Sequence, residues 1–105
     1  RAFVNFNGVS NPPSIRRAGN VSSVTDNGTG DYTINFTTAM VDSDYTATAM
    51  GRVWPGVQSE GFVVAFANYS ADGASQRTTT SLRVVALNQV TNRTDSPSVG
   101  VAIFR

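Results

Sequence analysis

In stretches such as Tyr32 to Thr38 apolar and polar residues trade places every second position, and no window of the chain shows apolar residues recurring at three- and four-residue intervals. A period of two belongs to strands with one buried face, so the pattern predicts strands and no helix. The predicted strands are Ala2 to Phe6, Asn20 to Thr25, Tyr32 to Thr38, Tyr45 to Val53, Gly61 to Tyr69, Ser81 to Asn88 and Pro97 to Phe104. Between them lie "NGVSNPPS", "DNGTG", "MVDSD", "WPG", "SADGAS" and "TNRTDSP", each rich in residues that tolerate turns. Turn signals about ten residues apart are the spacing of an all-β sandwich or barrel. The expectation is an antiparallel β-sandwich, jelly-roll-like, of about seven strands in a single domain, since 105 residues are too few for two cores.

The stretch "VTDNGTGDYTINFTT" admits two readings, a calcium loop or a hairpin. Asp26, Asn27, Thr29 and Asp31 crowd around two glycines as oxygen ligands do, but calcium takes six or more oxygens, and an EF-hand adds helical flanks and a glutamate at the twelfth loop position. Neither flank nor glutamate is present. After the loop, Tyr32, Ile34 and Phe36 alternate with Thr33, Asn35 and Thr37, and an Asn-Gly pair between two such runs is a strong hairpin signal. The hairpin is favoured, with Asn27 and Gly28 at its centre.

Three later strands are apolar on both faces. In "GFVVAFANY" one side carries Phe62, Val64 and Phe66 and the other Val63, Ala65, Ala67 and Tyr69. In "LRVVALN" Leu82, Val84 and Ala86 oppose Arg83, Val85 and Leu87, and in "VGVAIF" Val99, Val101 and Ile103 oppose Gly100, Ala102 and Phe104. A two-sheet sandwich covers only the inner face of each sheet, so the second apolar face calls for another cover. A neighbouring subunit supplies one; a tightly wound barrel whose bent strands bury both faces is the alternative.

Composition narrows the chemistry. Cysteine, histidine and lysine are absent, which removes disulfides, thiolate nucleophiles, imidazole bases and the usual transition-metal ligands. No cofactor or metal is expected. The eight arginines are scattered rather than striped and the net charge is +1, so nucleic acid is not an expected partner. No run approaches the roughly 18 apolar residues that would predict membrane insertion. The chain opens on an arginine, from which a fragment of a longer protein is expected.

Serine and threonine number 23 and asparagine nine against 14% charged residues, a polar but weakly charged surface that suits a particle exterior. Asn20, Asn27, Asn35, Asn68 and Asn92 open Asn-x-Ser/Thr sequons, which a threonine-rich strand sequence also generates by chance. Asp42, Asp44, Asp72 and Asp95 sit in turn contexts, and with Glu60 they allow a paired-acid hydrolase only in principle. With no base and no activated nucleophile the chain is not expected to be an enzyme. The better candidates are aromatic loop residues, because a flat ring stacks on a sugar or an apolar partner. In "GRVWPGVQSEG", Trp54 precedes Pro55-Gly56 with Arg52, Gln58 and Glu60 nearby. Tyr69, and likewise Tyr45, stand at predicted strand ends as weaker candidates. A bland reading has Trp54 plugging the end of the sandwich.

Taken together, "FVNFNG", "IRRAGNVSSVTDNGTGDYTINFTTAMVDSDYTATA" and the terminal "VAIFR" resemble the C-terminal segments of tail fibres and related virion appendage proteins of tailed bacteriophages and prophages. The resemblance covers about half the chain, mostly residues 1 to 53 and the last strand, and residues 54 to 96 share none of it. "NPPSIRR" is longer than the loop the group carries there. The shared motif marks a hairpin rather than a site, so it transfers no functional residue. What it implies is a fibre tip on the virion, trimeric, engaged in recognising a host-surface glycan or protein. The competing expectation is a purely structural trimerisation cap, or a capsid or baseplate decoration module that binds no receptor.

Overall fold

The computed structural model describes residues 1–51, 63–66, 77–87 and 98–104. Among them are eight strands and no helix: β1 (Ala2–Asn7), β2 (Ser14–Gly19), β3 (Val21–Gly28), β4 (Asp31–Phe36), β5 (Thr46–Gly51), β6 (Val63–Phe66), β7 (Ser81–Leu87) and β8 (Val99–Phe104). They form two four-stranded antiparallel sheets. Sheet A has the order β2-β1-β8-β5 and sheet B the order β3-β4-β7-β6. The sandwich expected from the alternation is therefore present.

Burial follows the period of two. On β1, Ala2, Val4 and Phe6 point into the core while Phe3 and Asn5 face out; on β8, Val99, Val101 and Ile103 point in. Sheet B answers with Tyr32, Ile34 and Phe36 on β4 and Leu82, Val84 and Ala86 on β7. Each large aliphatic or aromatic side chain fully withdrawn from water contributes about 1.5–3 kcal/mol. At the centre the Phe6 and Tyr32 rings meet edge to face at 5.1 Å, bridging the two sheets. Tyr32 stays buried because its hydroxyl donates to the Gly8 carbonyl at 2.9 Å.

Two connections depart from what the sequence suggests. Ser14–Gly19 is a strand that the alternation does not predict, paired along β1 at the edge of sheet A. Four of its six residues are exposed, because an edge strand is held by backbone pairing to one neighbour and carries no apolar stripe. The hairpin between β3 and β4 forms, but its centre lies two residues later than expected. Gly28 pairs with Asp31, leaving Thr29 and Gly30 as the turn, with Gly30 at φ +66° as a type II turn demands. Asn27 sits instead in a bulge, where its amide donates to Thr33 Oγ1 at 2.7 Å.

The step from β2 to β3 changes sheets in a single residue. Asn20 makes it in the left-handed region, φ 55°, which asparagine tolerates better than other non-glycine residues. Its Oδ1 accepts from the Thr38 amide at 2.7 Å and its Nδ2 donates to the Thr38 carbonyl at 3.1 Å, clasping the crossover to the end of β4. Asn35 likewise spends its Nδ2 on Ser23 and Thr25. At Asn20, Asn27 and Asn35 the nitrogen that a glycan would occupy is already a donor within the fold.

Tyr45, weighed above as a surface stacking residue, is a core residue. Its side chain is 1% exposed, packs edge to face on Phe36 at 5.8 Å, and its hydroxyl reaches the Thr78 and Ser81 carbonyls at 2.9 and 3.1 Å. The alternation places it inward, and the Arg77 guanidinium covers its other face at 5.7 Å. Burial pushes the phenol up to about 12, partly offset by the Arg77 charge. The neutral form is thus favoured in the folded state, so this stabilisation is complete below the ordinary value near 10 and is lost as pH rises from there through about 12. Over that window the domain is expected to lose on the order of 1–2 kcal/mol on this account. Urea midpoints at either end of the window check it, and Tyr45→Phe should flatten the difference.

Candidate functional site

The two sheets present different outer faces. On sheet B the outward face of β3 and β4, with Arg83 of β7, carries polar residues bonded to one another. Asn35 donates to Ser23 Oγ at 3.1 Å and Thr25 Oγ1 at 3.0 Å, and Asn27 to Thr33. Asp31, 3% exposed, accepts from Arg83 Nε at 2.8 Å and again from the same guanidinium through its other oxygen, the fork geometry that arginine offers a carboxylate. The hydrogen bond to Asp31 raises the Arg83 guanidinium above its ordinary range, burial works against it, and the carboxylate charge adds to the rise. Beside this pair Val85, on the same face, is also buried.

Sheet A is built the other way. Register aligns Phe3 with Ala102 and Thr48, and Asn5 with Gly100 and Met50, all facing out. Since β8 supplies only a glycine and an alanine in the middle, the larger side chains of β1 and β5 stand as walls on either side. The result is an open trough of about 640 Å³ with Arg17 and Ser98 on its rim. Gly19 lies beside one wall: a Cβ there would come within 2.4 Å of the Phe3 ring, which would have to shift to admit it. A bulge between Asn5 and Phe6 turns β2 so that Arg16 and Arg17 both oppose Asn5, and Arg16 reaches Asn5 Oδ1 at 3.4 Å. Phe3 is 47%, Phe104 49% and Met50 78% exposed. Among the described residues no carboxylate lines the trough. It offers apolar contact with arginine, asparagine and threonine at the margins, which is the composition of a contact surface.

Of the residues that the sequence nominates for ligand contact, Arg52, Trp54, Gln58, Glu60 and Tyr69 lie outside the described residues. The strand leading to four of them is in place, since β5 ends at Gly51 opposite Val99. Asp42 and Asp44 share a turn in which Asp42 Oδ1 accepts from the Asp44 amide at 2.9 Å, as turn acids do. The trough itself was half visible beforehand: the doubly apolar β8 is its floor, while the walls come from Phe3 and Met50, single outward residues on strands whose other positions look ordinary.

No family model, no curated protein and no solved structure matches the chain.

Proposed function

We propose that this domain is the distal receptor-binding module of a phage tail fibre, a homotrimer on the virion that recognises a host-surface glycan or protein. The observation that carries the reading is the apolar outer face of sheet A, a surface of the kind that marks association rather than a solvated exterior. The fibre-like segments "FVNFNG" and "NVSSVTDNGTGDYTINFTT" support it, and they fall on β1 and on the β3–β4 hairpin.

Ligand contact is assigned to the loop from Arg52 to Glu60, with Trp54 as the stacking surface, Gln58 and the two charged residues as orienting groups, and Tyr69 as a further ring. Loops on a rigid sandwich carry recognition because they present side chains without disturbing strand pairing. Trp54→Ala is expected to weaken binding to host cells by about tenfold to a hundredfold, the cost of removing an aromatic anchor. The measurement is pull-down by intact bacteria, competed with their purified envelope polysaccharide. Equal binding by the variant and the parent, both folded, rejects this site.

The trough of sheet A would serve a purely structural trimerisation cap or decoration module equally well, since it needs no receptor. On that reading the isolated domain has no affinity for host cells, and the same pull-down separates the two.

A further inference from the structure

We infer that one copy of this chain meets the next through the outer face of sheet A, leaving the outer face of sheet B turned to solvent. The inference rests on the homotrimeric reading above and adds which surface makes it. From sequence alone, β6, β7 and β8 compete for that role, because each is apolar on both sides. The structure separates two of them. On β7 the second face needs no neighbour, as Val85 is already buried within the subunit and Arg83 is paired with Asp31. On β8 the second face lies open, with Gly100 and Ala102 at the bottom of the trough and Phe104 half exposed beside them.

Shape and charge both favour a second copy as occupant. The face carries a groove of small residues and, next to it, ridges of Phe3 and Met50, so it holds the two halves of a ridge-in-groove contact. Its charges sit at opposite corners. Arg16 and Arg17 lie on edge strand β2 at the level of Asn5, Gly100 and Met50. Asp42 and Asp44 lie on the loop entering the other edge strand, β5, beyond the level of Thr46 and Phe104, beside Val41, which is 85% exposed. A head-to-tail contact joins two different patches of the same subunit type, and here the unlike corners attract. The face cannot pack corner on like corner without opposing arginine to arginine. A ring of subunits closes such contacts without leaving one unused.

The test is the oligomeric state of the whole 105-residue chain by light scattering at micromolar concentration, for the parent and three variants. Ala102→Arg fills the floor of the trough, Met50→Glu places a charge on a wall that is mostly in solvent, and Ser23→Arg makes a comparable change on the outer face of sheet B. The expected result is a trimer for the parent and for Ser23→Arg and a monomer for the other two, with circular dichroism showing all four folded. Should Ala102→Arg fail to fold, Met50→Glu decides, because its side chain is too exposed to be needed by the monomer. A parent trimer that survives both sheet A variants overturns this assignment and leaves the trimeric reading standing. A parent that is monomeric overturns both.

Discussion

Replacing Phe6 with alanine is expected to destabilise the domain by about 3–5 kcal/mol, a large share of the 5–15 kcal/mol that holds a domain of this kind folded. The ring is 0% exposed, and its edge-to-face contact with Tyr32 joins sheet A to sheet B within the core. Its loss removes the burial term and leaves a void that the flanking strands, fixed by pairing on both sides of β1, are poorly able to close. Phe3 is the matching control, the same residue type on the same strand facing the other way and 47% exposed. In the separated subunit Phe3→Ala is expected to cost less than about 1 kcal/mol, within reach of ordinary surface substitutions. Urea unfolding of both variants measures the difference. Similar midpoints for the two would contradict the inward placement of Phe6.

The second large effect is expected at Arg83. Changing it to leucine keeps the bulk but takes the guanidinium away from the Asp31 carboxylate, 3% exposed, which also accepts from Asn27 Nδ2 at 3.4 Å. Breaking a buried pair from one side costs about 3–5 kcal/mol in general; the Arg83 side chain is 36% exposed, so screening lowers the expectation to about 2–3 kcal/mol. The double variant Asp31→Asn with Arg83→Leu should regain most of the loss, because no uncompensated charge then remains. A thermal-melt double-mutant cycle reads the coupling, and additive losses would show that the pair is not a unit.

The parts of this fold legible in sequence are those where one face of a strand is buried and the other wet. The run from Tyr32 to Phe36 announces both its strand and its inward set. Where that contrast is missing, the reading loses its grip. Strand β2 has arginines where a pattern would need apolar residues, and its existence depends on hydrogen bonds to β1 that no local window contains. The hairpin shows a subtler limit: two glycines two residues apart both suit a turn, and the choice of Gly30 over Gly28 is settled by which register brings Ile34 and Val24 inward together. From sequence Tyr45 is a polar-flanked ring at a strand end, whereas in the fold its hydroxyl finds carbonyls from residues 33 and 36 positions away. As for the outer faces, composition could tell that β8 is apolar twice over, but only pairing shows that Arg83 reaches Asp31 diagonally across to β4 and that Gly100 and Ala102 line an open trough.

The strand order of sheet A also bears on how the chain acquires its structure during synthesis. All of sheet B comes from residues 21 to 87, and its β3–β4 hairpin closes over a two-residue turn, although β4 finds β7 only across about fifty residues. The middle of sheet A is different: Ala2 lies against Ile103, and β5 reaches β1 only through β8. A ribosome-bound chain therefore carries the β1–β2 hairpin and β5 as separate pieces of sheet A until β8 has left the exit tunnel. Closing so long a loop is slow compared with forming a hairpin. During that interval the β8-facing edges of β1 and β5 are open to neighbouring nascent chains, and an interruption of translation after β7 would release a product whose sheet A lacks the strand that joins its two parts.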